Sequence, residues 1–197
     1  GPVHPDVALT LNNMAMLFQT KGDYEQALQL FQRSLDMYEK TRGHEHPDVA
    51  LSLNNLAELH STKGHYDLAL PMYLRSLAIF EKLLGPNHPK VGLVLNNISE
   101  LTEINGDYDQ ALPMKLRSLA IFERALGPVH PDVSTLLNNL AQLYQKKGDY
   151  ERALPMLKLW PTASGCSSAS SISRSSTDWR RRLPASTLPT RSRTQAK

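Results

Sequence analysis

Paired asparagines recur at a constant spacing and are the residues of this sequence whose chemistry best suits binding. An amide side chain carries both a donor and an acceptor, so it can bond the main chain of a peptide of any sequence. Asparagine is also a mediocre helix former, so its repetition inside predicted helices calls for a reason. The pairs follow one another at intervals of 42 residues: Asn12-Asn13, Asn54-Asn55, Asn96-Asn97 and Asn138-Asn139.

The spacing leaves two roles open for these amides. In the first, at least one asparagine of each pair lines a groove, and the resulting ladder holds an extended chain by its backbone. In the second, the amides bond one another between neighbouring helices and serve stability alone. Composition does not decide between them.

The asparagines belong to a repeat that includes four further features. His-Pro, Gly, Tyr and Ala recur in the same phase through four copies, which begin at His4, His46, His88 and His130. A fixed period of this size is typical of a solenoid, in which each unit buries its apolar surface against its neighbours.

Each copy has the periodicity of two helices. In the first copy, Val7, Leu11 and Phe18 fall on one helical stripe, and a second stripe follows the turn. Gly22 suits the left-handed position after the first helix, and Asp23 suits the N-cap of the second. We call the first helix of each copy the A helix and the second the B helix.

Three series add detail to the hairpins. The prolines that follow the His residues suit the first position of the A helices. The prolines in the B helices are expected at the end of the first turn, where proline is still tolerated; these are Pro71, Pro113 and Pro155. The tyrosines that begin the B helices are predicted to pack in the core between hairpins; these are Tyr24, Tyr66, Tyr108 and Tyr150.

The pattern resembles the tetratricopeptide repeat, and its 42-residue form is most similar to the kinesin light chain class. The resemblance rests on Leu53-Asn54-Asn55-Leu56-Ala57 and on Leu84-Gly85-Pro86-Asn87-His88-Pro89, and it covers residues 1 to about 157. It implies an all-α, right-handed superhelical solenoid of antiparallel helix pairs. It also implies a concave wall of A helices that takes an extended peptide, and contacts from the second asparagine of each pair to the ligand backbone.

One departure from the family affects the expected partner. Some members clamp an acidic or carboxylate-ended peptide with basic residues of the A helices, whereas Glu58, Glu100 and Gln142 stand at such positions here. A neutral or basic segment is therefore favoured over an acidic one. The candidate peptide-binding residues are Asn12, Asn13, Asn54, Asn55, Asn96, Asn97, Asn138, Asn139, Glu58, Glu100 and Gln142.

The predicted organisation is four units and a tail. The units span residues 1–42, 43–84, 85–126 and 127–157, the last with an incomplete B helix, and a Ser/Arg-rich segment at 158–197 is expected to be disordered. We interpret this segment as a frameshift product or a genuine basic tail. The opening Gly-Pro-Val-His-Pro repeats an inter-unit linker, which suggests an array truncated at its N-terminus. The uncapped fourth unit is a candidate for self-association.

Charge is divided unevenly along the chain. Residues 1–157 carry 14 Lys+Arg and 18 Asp+Glu, a net charge of −4. Residues 158–197 carry 8 Lys+Arg and 1 Asp+Glu, a net charge of +7. The basic excess therefore lies in the tail, and nucleic-acid binding is not favoured for the repeats. No apolar run approaches the roughly 20 residues of a membrane span.

No constellation of catalytic, cofactor-binding or metal-ligating residues stands out. Successive repeat histidines lie on different turns of the solenoid and are interpreted as loop and helix-start residues, and the lone Cys166 fits a reducing compartment, here taken as the cytoplasm. We predict a protein-interaction scaffold, not an enzyme. The alternatives are a structural spacer or self-association module, and a regulatory arm of a larger enzyme or ATPase.

Overall fold

The computed structural model describes residues 4–158, and this part of the chain consists of helices joined by short turns, without strands. The prediction of an all-α fold is confirmed. The A helices are α1 (Pro5–Thr20), α3 (Pro47–Thr62), α5 (Pro89–Ile104) and α7 (Pro131–Lys146). The B helices are α2 (Tyr24–Arg42), α4 (Tyr66–Leu84), α6 (Tyr108–Leu126) and α8 (Tyr150–Lys158). Beyond Lys158, the predicted tail lies outside the described residues.

Histidine begins every A helix. The Nδ1 atom of His46 accepts a hydrogen bond from the backbone N–H of Asp48 at 3.2 Å, and Pro47 occupies the first turn. The bond satisfies one of the amide groups that a helix start leaves unpaired. The same N-cap recurs at His4, His88 and His130. The interpretation of these histidines as helix-start residues is confirmed.

The turn inside the first hairpin has the predicted chemistry. In the first repeat, Gly22 has a φ of 82°, which is the left-handed conformation that favours glycine. The Asp23 side chain accepts a hydrogen bond from the backbone N–H of Gln26 at 3.2 Å, so it caps α2. The A helix therefore ends, and the B helix begins, within three residues.

The B-helix prolines lie deeper in their helices than expected. Pro71 is the sixth residue of α4, so the expectation of a place in the first turn was wrong, and the helix continues to Leu84. Both Pro71 and Asp67, whose carbonyl loses its usual amide donor, are exposed. Water can bond that carbonyl, which explains why the helix tolerates the ring here.

Two compact units make up the chain, with their boundary inside α6: one comprises Gly1–Met114 and the other begins at Lys115. In the first unit, α2 packs against α1 and α3, and α4 packs against α3 and α5. Each B helix thus fills the space between its own A helix and the next one. In the second unit, α7 packs against α8, and the guanidinium of Arg152 lies 5.8 Å from the centre of the buried Tyr144 ring.

A buried serine joins the two helices of a hairpin in the first unit. The hydroxyl of Ser34 donates to the carbonyl of Ala8 at 2.7 Å, and that of Ser76 donates to the carbonyl of Ala50 at the same distance. Neither alanine exposes any surface, so the helix backbones approach closely at these points. The serine hydroxyl is satisfied where a larger side chain would separate the helices.

The first A helix differs from the later ones in what covers its apolar residues. Leu17 is 65% exposed, whereas Leu59, its counterpart one repeat later, is fully buried. Val7 and Met14 are also exposed, while the matching residues of α3 are buried. The difference arises because α2 packs on α3, and no helix of the described part of the chain covers this side of α1.

Among residues 4–158, no helix is both long enough and apolar enough to cross a bilayer.

The repeat supplies a matched pair for testing the stacking of helices. We expect Leu59→Ala to lower the free energy of unfolding by about 2–5 kcal/mol, because it opens a cavity between α2 and α3. Leu17→Ala should change it by no more than about 0.5 kcal/mol, because the side chain is largely in water. Urea denaturation followed by circular dichroism measures both. Equal losses would contradict the packing described here.

Candidate functional site

The two asparagines of each pair take different positions on the A helix. The first asparagine is buried in the first two repeats: Asn12 is 6% exposed and Asn54 is 2% exposed. The second asparagine of these two pairs is more accessible, since Asn13 is exposed and Asn55 is partly buried. The first two pairs therefore present one amide to the helix–helix boundary and one nearer to solvent.

The amides bond one another between successive A helices. Asn55 Nδ2 donates to Asn12 Oδ1 at 3.2 Å, and Asn97 Nδ2 donates to Asn54 Oδ1 at 3.0 Å. A longer contact of 3.5 Å, from Asn54 Nδ2 to Asn55 Oδ1, joins these two bonds. The result is a continuous amide chain across α1, α3 and α5, which we call the asparagine ladder. It is the arrangement expected if the asparagines serve stability.

The ladder bonds do not use every hydrogen-bond donor and acceptor of the second asparagine. A carboxamide has two N–H donors and two lone pairs on its oxygen. Asn55 uses one donor for Asn12 and one acceptor position for Asn54, so one of each remains formally open. A role in stability and a role in binding are thus compatible in the same side chain.

A cleft of about 390 Å³ lies next to the ladder, and Asn55 forms part of its wall. Glu58 and Thr62 share that wall because residues three and seven positions further along α3 fall on the same helix face. Residues of α1 and α2 complete the cleft: Met16, Gln19, Thr20, Tyr24 and Phe31. Two of the candidate residues, Asn55 and Glu58, are therefore brought together at one opening.

Tyr24 stands at the edge of this cleft and not in the core. Its side chain was expected to pack between hairpins, but it is 37% exposed, and Tyr150 of the last repeat is more exposed still. The expectation is wrong for these two because the first residue of a B helix lies at the end of the hairpin. Phe31, which is fully buried, forms the aromatic floor.

Glu58 is the only acidic residue of the cleft, and it is electrostatically strained. Desolvation by the surrounding helices, and next the carboxylate of Glu100, raise the pKa of Glu58 above its usual value. The Glu58 side chain is nevertheless exposed at the cleft opening. Burial, together with the same two carboxylates, also raises the pKa of the Tyr73 hydroxyl. The charged form of Glu58 is therefore disfavoured in the folded chain.

The remaining candidates lie further along the repeats. Asn96 donates to the carboxylate of Glu100 at 2.8 Å, so that acid is already partly satisfied within α5. In the second unit, Asn138 and Gln142 are exposed and Asn139 is partly buried, all on α7. The cleft itself is formed by the first two repeats.

Comparison with known proteins decides the family. The family model described as tetratricopeptide repeat matches residues 6–82, 63–114 and 91–159. The chain belongs to the tetratricopeptide repeat family. The order of its helix pairs agrees with that assignment. No curated protein sequence matches the chain significantly.

Solved structures share the tetratricopeptide fold at low identity. BtubC (BKLC) from P. vanneervenii has a TM-score of 0.73 and 24% identity, over 98% of this chain and 72% of that one. A putative kinesin light chain from Podosopora anserina with nearly identical TPR-like repeats has a TM-score of 0.71 and 24% identity. The match covers 79% of this chain and 74% of that one. Aspartyl phosphate phosphatase F from Bacillus subtilis has a TM-score of 0.69 and 16% identity. The match covers 78% of this chain and 39% of that one. At these identities the likeness establishes the fold alone.

Tetratricopeptide repeats generally mediate protein–protein interaction, and the fold is typically a non-catalytic scaffold. Sequence reasoning missed three features that shape the site. The serine bonds between helices leave no periodic apolar signal. Which asparagine donates and which accepts along the ladder depends on how successive A helices stack. Lys115, which is 2% exposed, occupies the B-helix position of Phe31 and Tyr73, and aligning the repeats residue by residue could have found it.

The contribution of the asparagine ladder to stability can be tested with a control from the same repeat position. Asn55→Ala should lower the free energy of unfolding by about 1–2 kcal/mol, because it leaves the buried Asn12 oxygen without its donor. Asn13→Ala, at the same position of the first repeat, should be neutral or slightly stabilising, because alanine favours the helix by roughly 0.5 kcal/mol.

A double-mutant cycle isolates the bond. The effects of Asn12→Ala and Asn55→Ala on unfolding in urea should couple by about 0.5–1.5 kcal/mol. Strict additivity of the two would show that the ladder bond does not contribute.

The raised pKa of Glu58 predicts how the stability of the chain depends on pH. Since its folded pKa is raised, the native state binds more protons than the unfolded state, and stability falls as pH rises from the unfolded value through the folded one. Glu58→Gln should therefore be more stable than the wild type near pH 7, and the difference should vanish below about pH 4. Asp36→Asn, on the exposed side of α2, is the charge-matched control. A variant less stable than the wild type at neutral pH would refute the assigned cause.

Proposed function

We propose that the chain is a protein-interaction scaffold that binds an extended peptide segment along its A helices, and that it acts by binding and not by catalysis. The cleft beside the asparagine ladder carries this proposal. It combines an open polar wall, with Asn55 and Thr62, and an aromatic floor at Phe31. Ligand sites generally combine an apolar lining with a few polar groups that fix orientation, at volumes of about 300–1,000 Å³.

In this proposal the second asparagine of each pair binds the backbone of the guest. The open donor and acceptor of Asn55 match the carbonyl and N–H of one extended residue. The ladder holds the amide in place before the guest arrives, which reduces the ordering cost of binding. Within the first unit, Glu100 would contact a neighbouring part of the guest and select its sequence. Gln142 is a candidate for peptide contact within the second unit.

A second candidate function, self-association, is supported by the exposed apolar side of α1. Leu17 and Met14 occupy positions that a B helix covers in the next repeat, so another helix of similar pattern could pack there. In that case sedimentation velocity should show concentration-dependent association, and Leu17→Glu should abolish it without loss of helicity. A monomer at all concentrations would leave peptide binding as the sole proposal.

Peptide display against the full chain tests the principal proposal. Peptides that are enriched should bind the wild type and lose affinity at least about tenfold on Thr62→Trp, because an indole at this position fills the cleft, a loss of about 1.4 kcal/mol. Gln110→Trp, on an exposed position of α6, should leave the affinity unchanged. Titration calorimetry measures both variants. Failure to enrich any peptide, or equal binding by the filled cleft, would contradict the proposal.

A further inference from the structure

The carboxylate of Glu58 has an open side towards the cleft. Within the described residues it forms no hydrogen bond and no ion pair, although its backbone carbonyl accepts from Thr62 at 2.9 Å. Other acids nearby are engaged: Glu100 accepts from Asn96, and Glu25 pairs with Lys63. A carboxylate that lies in the wall of a cleft and has no partner of its own is open to a charge-assisted hydrogen bond from a bound guest.

The residues around Glu58 define the shape of that partner. The eight residues that line the cleft include this single acid and no cationic residue. The lining also includes the thioether of Met16 and the rings of Tyr24 and Phe31, which suit a long aliphatic stem. Aromatic rings also attract a cation held over their faces.

Charge in the neighbouring repeat points the same way. Glu100 is close enough to Glu58 for the two carboxylates to repel each other, so this part of the A helices carries a negative potential. The charges of both acids also act on the Tyr73 hydroxyl, whose pKa burial raises most and these carboxylates raise further, and Tyr73 adds no positive charge. A cation would relieve this repulsion, and a second carboxylate would increase it.

We infer that the cleft between α1, α2 and α3 is a pocket for one lysine or arginine side chain of a bound segment, with the aliphatic stem along Met16 and Phe31 and the charge on Glu58. The inference rests on the proposed peptide binding and adds the residue that the peptide must contain. It is confined to the first two repeats, since the third has a buried cation, Lys115, at the position of Phe31 and Tyr73.

The expected energy of the ion pair is modest. Glu58 is exposed, and ion pairs between exposed groups contribute about 0–1 kcal/mol, towards the upper end where the geometry is fixed, as in the wall of a cleft. We expect the charge of the guest to change affinity on the order of fivefold. Arginine should bind at least as well as lysine, since its planar group also stacks on aromatic rings.

A peptide pair tests the inference. Displayed peptides that bind the full chain should be enriched in lysine or arginine at one position. A synthetic peptide of that sequence and its twin with norleucine in place of the basic residue, which keeps the stem and removes the charge, are titrated into the wild type and Glu58→Gln. The wild type should prefer the charged peptide by on the order of fivefold, and Glu58→Gln should bind both alike.

Controls separate the pocket from the general field of the chain. Asp36→Asn removes one negative charge from an exposed residue that does not line the cleft and should keep the preference. Glu58→Lys should reverse it in favour of a twin with glutamate. Enriched peptides without a basic residue, or a charge preference that survives Glu58→Gln, would overturn the inference and leave the proposed function intact. Absence of any bound peptide would instead refute the proposed function.

Discussion

The structure of the first unit depends on stacking identical hairpins so that equivalent residues of successive A helices meet. Apolar side chains drive this stacking, since Leu59 and its neighbours are buried only where a B helix packs on the next A helix. The asparagine ladder then fixes the register, because a bond from Asn55 to Asn12 forms only when the two helices lie side by side. Burial of apolar side chains thus stabilises the stack of helices, and the asparagine bonds determine which residues of successive A helices lie side by side.

That register also creates the cleft. Glu58 and Asn55 share one wall because they fall on one face of α3, and Phe31 reaches the floor because α2 lies between α1 and α3. The same packing that desolvates Glu58 leaves it without a partner in the described part of the chain. Stability and recognition are therefore opposed at this residue, as is common where a binding group is prepared in advance.

Local features of the fold could be predicted from the sequence because they depend on neighbouring residues. Gly22, Asp23 and the N-cap histidines define helix ends through contacts within a few positions. The position of Pro71 was predicted wrongly although the start of α4 at Tyr66 was as expected, because an exposed proline is tolerated beyond the first turn where water can bond the carbonyl that loses its donor. The alternatives left open for the asparagines required three-dimensional information, since the bond from Asn97 to Asn54 joins residues 43 positions apart. Repetition predicts which residues align, but not which atoms bond.

Side-chain amide exchange measured by nuclear magnetic resonance tests the central claim most directly. If successive A helices are joined by the ladder, the carboxamide protons of Asn55 and Asn97 should exchange with solvent markedly more slowly than those of Asn13, which forms no such bond. Exchange at the same rate for all three would show that the amides are free in solution, and the account of the register and of the cleft would fail.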